Sequence, residues 1–571
     1  MRKALFYLFI SLIFLLYSLN VKSDNSIQLV QDSSTEYRIM LSDSSSPTEV
    51  FSAQELQGYI VQVSGAFMPI ADTNEPLTGR LIFVGASAIA RLGLKIDDEN
   101  LGEDGFIIKT IDRRIIIAGK NPRGTLFGVY AFLESIGCRW FAPGISGEVL
   151  PIIRNITIPP TNRLERSAFN YRGFSCLSPD TYKNPEWIDW MAKNRLNCIM
   201  IDSEFYNEFN SALEADIKLR SLNIGVRFEI KDSIANETKK IKDFLVRYPT
   251  VNILEIYDKD NKIELLNKIV DSINMPEKAI YIRFNGKNVT NQINMKKYSY
   301  SFQPYMRCYR HFLGDKKCDI NQKQISVLND LLKSSHRLCL YEYYMASYEQ
   351  NSLPFPILQT IFEDIQYIKE LDKFDGAISQ CELGNWGTYG LNYYIFSKFS
   401  WNPNDNLGRI INDYCDKYYD SASEPIKQYF GLLEDSMEKM EHFNYIDPPE
   451  LIINLIDENT LKELNIKISR AEELANDVIV FDRIRKLKIS LEYTTMLWQM
   501  LNHYIIGCQY QANIDKDRAR ENLKKSLEYG ENLIKFIFQD VNQGVFIITE
   551  SFIFDYLEPI INDIRNRLDS L

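Results

Sequence analysis

Residues Leu338–Met345 read LCLYEYYM, an apolar, β-rich run that carries one carboxylate, Glu342, among three tyrosines. This pattern is typical of a buried parallel strand whose C-terminal end opens into a site where aromatic rings can stack on a ligand. A carboxylate in such a strand has two interpretations. It is either a functional group or one half of a core ion pair with an Arg or Lys, in which case the tyrosines are packing residues.

Strand and helix patterns alternate on both sides of this run, over residues 165–404. We count about eight strands in about 220 residues, the number and spacing of a (β/α)8 barrel. The predicted strands are 169–177, 197–203, 224–230, 251–258, 278–284, 298–305, the run that ends at 345, and 376–386. A doubly wound open sheet is the alternative, but it predicts a phosphate-binding glycine loop near the first strand, which the sequence lacks.

Three further segments flank the predicted barrel. Residues 26–160 mix strand and helix patterns and predict a compact α/β accessory domain, whereas residues 405–571 show 3.6-residue apolar periodicity and predict a helical domain. Residues 1–23 resemble a secretory signal peptide, with two basic residues, an apolar run and then Ser23. We therefore expect an exported protein, periplasmic, cell-surface or extracellular; the alternative is an uncleaved membrane anchor.

Composition narrows the class of partner. The 571-residue chain has a net charge of −11, with its acidic residues spread along the sequence, which argues against a nucleic-acid partner. Its 33 tyrosines and 32 phenylalanines can fill a large core, but carbohydrate-binding clefts also use aromatic rings. We expect a glycan or glycoprotein substrate and membrane contact only through the export signal; the oligomeric state is left open.

The cysteines and histidines show no familiar metal motif. Most of the nine cysteines are scattered singly in apolar runs, although Cys308 and Cys318 bracket a polar loop and could close a short disulfide. The four histidines include no HExxH pair, and there is no CxxC. The sequence thus predicts chemistry with no cofactor and no metal.

Catalytic groups of a (β/α)8 barrel lie at the C-terminal ends of its strands. Glycosidases need one carboxylic acid to protonate the leaving oxygen and a second group to attack or to position the attacker. Glu342 and Glu382, on adjacent predicted strands, can form this pair. The predicted substrate-binding residues are Arg172, Asp202, Arg307, Arg310, His311, Tyr341, Tyr344, Trp386 and Tyr389. The alternatives are a solvated loop for Asp202 and a structural ion-pair cluster for Arg307, Arg310 and His311.

Two stretches in the first 160 residues resemble known proteins. Residues 53–70 (AQELQGYIVQVSGAFMPI) and 121–144 (NPRGTLFGVYAFLESIGCRWFAPG) resemble the accessory α/β domain that precedes the catalytic barrel in α-glucuronidases and β-hexosaminidase-like glycosidases. The resemblance implies a non-catalytic module.

Three stretches of the barrel resemble glycoside hydrolase family 163. They are residues 306–318 (MRCYRHFLGDKKC), 341–345 (YEYYM) and 384–406 (GNWGTYGLNYYIFSKFSWNPNDN). The resemblance implies an endo-β-N-acetylglucosaminidase that releases N-glycans. If that family places an acid after the fourth strand, Asp258 is the nearest candidate for a third catalytic residue; the alternative is a surface turn.

The leading hypothesis is therefore an exported glycosidase that cleaves β-N-acetylglucosaminide linkages. Two alternatives stay open. The first is an α-glucuronidase-like exo-glycosidase in which Arg172, Arg307 and Arg310 bind a substrate carboxylate, and the second is a glycan-binding barrel without catalysis.

Overall fold

The computed structural model describes residues 26–571, apart from 72–74, 97, 177–183, 207–210, 261, 277, 285–296, 305, 346–349, 382–383, 445, 447, 540–544 and 546–547. The predicted signal peptide lies outside the described residues. Among the described helices, none is both long and apolar enough to cross a membrane. The chain divides into two compact units, one formed by residues up to 138 with 150–166, the other by 139–149 with 167–571.

The N-terminal unit is built on a six-stranded mixed sheet. Its strands are β2 (Arg38–Met40), β3 (Ile70–Ala71), β4 (Leu81–Val84), β5 (Phe106–Ile111), β6 (Arg114–Gly119) and β10 (Asn162–Glu165), and β1 (Ile27–Val30) pairs separately with β9 (Ile156–Ile158). The strand order in the sheet is β10-β5-β6-β4-β2-β3. Buried aliphatic and aromatic residues of β4 and β6 form the centre of this core.

The helices of this unit begin and end at sequence signals. Helix α1 (Pro47–Ser64) starts with a capping box between Ser46 and Glu49 and ends at Gly65, whose φ of 76° favours glycine. Helices α2 (Ala86–Ala90) and α3 (Pro122–Ile136) follow. Asn121 caps α3 by accepting a hydrogen bond from the Gly124 amide at 2.8 Å.

The second unit contains a closed barrel of eight parallel strands. They are β11 (Tyr171–Cys176), β12 (Cys198–Asp202), β13 (Asn223–Glu229), β14 (Val251–Tyr257), β15 (Ala279–Phe284), β16 (Ser299–Phe302), β17 (Leu338–Glu342) and β18 (Phe374–Cys381). Each overlaps a strand expected from the sequence. The predicted fold class, a (β/α)8 barrel with an N-terminal α/β domain and C-terminal helices, is confirmed.

Helices follow seven of the eight strands in the described chain. They are α4 (Pro185–Lys193), α5 (Ser211–Leu219), α6 (Ile234–Arg247), α7 (Ile263–Ile273), α8 (Asp319–Ser334), α9 (Leu358–Glu370) and α10 (Trp386–Trp401). They cover the outer face of the strands, so these strands are buried on both sides.

Alternate side chains of each barrel strand face opposite layers. On β17, Cys339 and Tyr341 point into the lumen, where they belong to one cluster with Met200 of β12, Ile253 of β14 and inward residues of other barrel strands. Because successive side chains of a strand alternate, Glu342 faces the helices instead.

The remaining helices pack beside the barrel in the same unit. They are α11 (Leu407–Tyr418), α12 (Ser423–Glu438), α13 (Ile452–Leu455), α14 (Glu458–Leu474), α15 (Val478–Ala512), α16 (Lys516–Ile537), a π-helical turn (Phe552–Leu557) and α17 (Glu558–Ser570). Arg483 of α15 donates to the carbonyl oxygens of Tyr418 (2.7 Å), Ser146 (2.8 Å) and Glu148 (2.9 Å). Residues 139–149, which form the short hairpin β7 (Arg139–Trp140) and β8 (Glu148–Val149), are thereby held in the barrel unit.

A substitution at Gly173 on β11 provides a test of the barrel packing. A Cβ at this position would overlap the Cys198 carbonyl of the paired strand, so we expect Gly173→Ala to lower the free energy of unfolding by about 1–3 kcal/mol or more. Gly431, exposed in α12 with open space at its Cβ, provides the control, and Gly431→Ala should raise stability by about 0.5–1 kcal/mol. Urea unfolding followed by tryptophan fluorescence checks both; equal stability of Gly173→Ala and wild type would contradict the packing.

Candidate active site

A bidentate ion pair lies at the C-terminal ends of β12 and β13. The Arg227 Nε and Nη2 atoms each lie 2.8 Å from an Asp202 oxygen. The Arg227 Nη1 atom donates to the Tyr341 hydroxyl at 2.8 Å, and that hydroxyl donates to Ser175 Oγ at 3.2 Å. The Asp202 side chain is 24% exposed, so the pair reaches solvent at this end of the lumen.

A second ion pair occupies the next two strands. The Arg283 Nε atom lies 3.0 Å from the Glu255 carboxylate, and Nη2 also bonds it. The guanidinium lies 4.0 Å from the centre of the Tyr341 ring and 5.2 Å from that of Tyr257. Burial opposes the charge on Arg283, but Glu255 outweighs it and keeps the pKa of Arg283 above its ordinary value.

The rim carries a third acid and a further tyrosine. Glu229 bonds Lys231 and Lys259, each at 3.1 Å. Burial raises the pKa of Glu229, but these lysines act in the opposite direction and the pKa is lowered overall. Gln303 donates to the Tyr343 hydroxyl. We call Asp202, Arg227, Glu229, Glu255, Arg283, Gln303, Tyr341 and Tyr343 the lumenal mouth.

The lumenal mouth has the position and chemistry of a barrel active site. Its groups lie on strands, or directly after them, at the C-terminal end of the lumen, where catalytic groups of this fold lie. Guanidinium groups orient the carboxylates, while tyrosine rings and hydroxyls can contact a hydroxylated ligand. Asp202 and Tyr341, both predicted from the sequence as ligand contacts, belong to it.

Glu342 lies in a different layer and is fully bonded there. Its Oε1 atom is 3.0 Å from Arg307 Nη1, and its Oε2 accepts hydrogen bonds from the Tyr309 hydroxyl at 2.5 Å and the Tyr343 amide at 3.2 Å. The side chains of Glu342 and Arg307 have no exposed surface. This geometry favours the alternative interpretation of Glu342, a structural ion pair, over the predicted catalytic role, because the pleat turns this side chain away from the lumen.

Arg307 also bonds a second buried carboxylate. Its Nη2 atom lies 2.8 Å from Asp364 of α9, which accepts a hydrogen bond from the Tyr344 hydroxyl at 2.9 Å. Two carboxylates thus share one guanidinium. Burial raises the pKa of Glu342 to about 7, although Arg307 opposes this rise. Arg307 and Tyr344, predicted as ligand contacts, are structural residues of this network.

Two other predicted ligand contacts lie away from the lumen. Arg172 is fully buried near the start of β11 and donates to the carbonyls of Phe169 (2.5 Å) and Arg195 (3.1 Å). Tyr389 is buried and donates to the Leu353 carbonyl at 2.8 Å. Both were predicted as ligand contacts. In the structure, backbone carbonyls of the core accept their hydrogen bonds.

Trp386 and Asp258 are likewise accounted for by local structure. Trp386 stacks on Tyr393 with ring centres 4.7 Å apart and meets Trp190 edge-on, within an aromatic cluster. Asp258 accepts hydrogen bonds from the amides of Asp260 (2.9 Å) and Lys262 (3.2 Å), which is the turn anticipated as its alternative role. The catalytic assignment of Asp258 has no support in this geometry.

The last predicted residues lie around the loop that follows β16. Arg310 is partly buried and donates to the Glu438 carbonyl at 3.0 Å. His311 lies beside Cys308, with Nδ1 3.4 Å from Sγ. Cys308 and Cys318 are free thiols, and together with His311 and His442 they form a cluster of side chains that could hold a metal ion. No sequence motif indicated this set, because His442 is 124 residues beyond Cys318.

Glu382 lies outside the described residues. In the sequence it directly follows Cys381, the last residue of β18. Its proposed catalytic role stays a prediction.

Arg227, Glu255 and Arg283 were not identified from the sequence. A signal was available, because each is a charged residue inside an otherwise apolar strand, in VRFE, ILEIY and IYIRF. Charged residues at such positions are rare in cores unless they are paired. A charged residue inside an apolar strand is therefore a candidate for a functional site.

Comparison with known proteins adds two family matches. Residues 22–132 match the glycosyl hydrolase family 67 N-terminus, and residues 260–431 match a domain of unknown function, DUF4838. No curated protein matches the chain.

Several solved structures share the fold over nearly the whole chain. A GH138 enzyme targeting pectin rhamnogalacturonan II aligns with a TM-score of 0.62 at 11% identity, covering 94% of this chain and 99% of its own. The 4-O-methyl-α-glucuronidase BtGH115A aligns at 0.59 and 12% identity (91% and 78% covered), and CpGH84B at 0.53 and 12% (94% and 97%). The chain therefore has a fold found in glycoside hydrolases of several families.

The buried network predicts how stability responds to pH. Folding raises the pKa of Glu342 to about 7, from about 4.3 in the unfolded chain. The folded state then binds the extra proton between these values, so this contribution to stability is lost as pH rises toward 7. Glu342→Gln cannot titrate, and from about pH 5.5 to 8 wild type should lose about 2 kcal/mol relative to it.

Urea unfolding at both pH values measures this difference, with Glu370→Gln, an exposed acid at the end of α9, as the control that should follow wild type. Glu342→Gln should also keep its turnover within a few-fold, since the residue lies outside the lumen. Parallel pH profiles for Glu342→Gln and wild type would contradict the assignment.

Proposed function

We propose that this protein is an exported glycoside hydrolase that acts at the lumenal mouth. The observation that carries the proposal is the set of ion-paired carboxylates and tyrosines on inward positions at the C-terminal ends of a closed parallel barrel. The match of residues 22–132 to a glycosyl hydrolase N-terminus supports it independently of the barrel.

The described carboxylates of the mouth are suited to bind and orient. Asp202, Glu229 and Glu255 are each paired with Arg or Lys, and these partners hold the carboxylate groups in fixed orientations. Asp202 has the most exposed side chain of the three, at 24% against 16% and 5%. We propose that Asp202 contacts the reacting sugar and that Glu382 protonates the leaving oxygen.

The substrate class that we propose is a β-N-acetylglucosaminide within an N-glycan, cleaved in the endo mode. Its support is the resemblance of three barrel stretches to glycoside hydrolase family 163. In such a substrate the acetamido oxygen can attack the anomeric carbon, and a carboxylate that accepts the acetamide N–H strengthens that attack. Asp202, held at two points by Arg227, has the chemistry for this role.

A second candidate is release of a uronic acid. It is favoured by the family 67 N-terminal match, by the shared fold with a 4-O-methyl-α-glucuronidase, and by Arg227 and Arg283 in the lumen. Of the three arginines expected from the sequence to bind such a substrate, Arg172 and Arg307 are buried outside the lumen, and Arg310 donates to the Glu438 carbonyl. Incubation with N-glycosylated protein and with glucuronylated oligosaccharides, followed by mass spectrometry, separates the candidates. Release of an intact N-glycan supports the first and free uronic acid the second, whereas binding without cleavage contradicts both.

Variants of the two proposed catalytic carboxylates should behave differently. We expect Glu382→Gln to lower kcat by about 10²- to 10⁴-fold on the natural glycan but far less on a glycoside with an acidic phenol leaving group, which needs little protonation. Asp202→Asn should lower kcat by about 10²-fold on both substrates, because its role is independent of the leaving group.

Glu204→Gln is the matched control. This acid lies two residues after Asp202, and its side chain is 68% exposed. It should leave kcat and KM unchanged. Equal losses for Glu382→Gln on both substrates would contradict its role as the acid, and full activity of Asp202→Asn would remove the mouth from the mechanism.

Sequencing the mature N-terminus of the secreted protein tests export, with cleavage expected near Ser23.

A further inference from the structure

Four side chains from two distant parts of the chain converge beside the barrel. They are Cys308 and His311 in the loop after β16, Cys318 at the start of α8, and His442 beyond α12, and their ligand atoms all lie within 4.8 Å of one another. Both cysteines are buried and the two histidines are partly buried. None of the four belongs to the lumenal mouth.

We propose that this cluster binds one structural zinc ion. Zn–S and Zn–N bonds of about 2.3 and 2.0–2.1 Å at a tetrahedral angle put neighbouring ligand atoms about 3.6 Å apart. The Cys308 Sγ to His311 Nδ1 distance is 3.4 Å, and the Cys318 Sγ to His442 Nδ1 distance is 3.9 Å. The side chains therefore lie close to the geometry that the ion requires, without rearrangement of the backbone.

The donor set selects zinc over harder cations. Two thiolates and two neutral imidazoles form a closed Cys2His2 set, which is characteristic of structural zinc and unsuited to Mg²⁺ or Ca²⁺. Binding displaces the two thiol protons, so the ion and its ligands together carry no net charge. A neutral centre is compatible with the burial of both sulfur atoms.

The surroundings hold the ligands in place. Asn321 accepts a hydrogen bond from the Cys308 amide at 2.8 Å and donates to the carbonyls of Cys308 (3.0 Å) and His311 (3.1 Å). Cys318 immediately precedes Asp319, the first residue of α8, so the helix fixes the position of its backbone. Asp319 lies 3.6 Å from the Nε2 atom of His442, on the side of the ring away from the cluster. An acid at this position can orient a ligand imidazole.

Zinc at this position would join the C-terminal helical region to the loop after β16. The two segments already meet through the backbone, because the Tyr309 amide donates to the Phe443 carbonyl at 2.6 Å and the Asn444 side chain to the Arg307 carbonyl at 2.7 Å. Arg307 and Tyr309 are the residues that bond Glu342. The ion would thus fix the loop that satisfies the buried carboxylate of β17.

Metal analysis of the full-length mature protein tests the proposal. After purification and equilibration with equimolar zinc, we expect one zinc ion per chain by elemental analysis. The intact mass under non-denaturing conditions should rise by one zinc ion less two protons. Cobalt substitution should give thiolate-to-cobalt absorption, and a chelator should lower the melting temperature by several degrees.

Variants of the ligands identify the site. His442→Ala and Cys318→Ser should each retain less than about a tenth of the metal, whereas His336→Ala and Cys508→Ser, the same residue types outside the cluster, should retain all of it. If a cysteine variant fails to fold, the cobalt spectrum of the wild type still decides whether thiolates are ligands. A native protein without bound zinc, or one with a Cys308–Cys318 disulfide and a mass two hydrogens lower, would overturn the proposal.

Discussion

The two-sided burial of the barrel strands is the constraint on which the rest of this structure depends. Every side chain on such a strand enters either the lumen or the helix layer, and the pleat assigns neighbours to opposite sides. Tyr341 and Glu342 illustrate the result: Tyr341 accepts a hydrogen bond from Arg227 within the lumen, whereas Glu342 bonds Arg307 behind the strand. A shift of one residue in register would exchange their roles.

The fold could be predicted from the sequence, because strand length, helix periodicity and their alternation are local properties. Which alternate positions face inward could not, because both faces of a buried parallel strand are apolar and give no difference in pattern. The sequence therefore leaves both interpretations of the YEYYM carboxylate open, and the structure places Glu342 on the helix side of the strand. Charged residues inside VRFE and IYIRF were a better guide to the site, since Arg227 and Arg283 do lie in the lumen.

Contacts between residues distant in the sequence account for most of what was missed. Asp364 and Glu342 share Arg307, and no short motif reports that three charges meet. Burying such ions is costly unless each is bonded, and here two tyrosine hydroxyls and two backbone amides add hydrogen bonds to the two carboxylates. Because Arg307 and Tyr309 of the loop after β16 supply bonds to these carboxylates, the ion pairs constrain the position of the loop in addition to apolar packing.

Because of the hairpin at residues 139–149, the two compact units of this protein do not follow each other as two continuous segments of the chain. The chain changes compact unit at 138/139, 149/150 and 166/167. Within the barrel unit the hairpin contributes Arg139, bonded to Asp413 at 2.6 Å, and Glu148, bonded to Lys193 at 2.8 Å. A single recombination junction therefore cannot exchange the N-terminal unit cleanly. A cut before residue 139 separates β9 and β10 from their partner strands in the N-terminal unit, whereas a cut after residue 166 separates the hairpin from its partners in the barrel unit.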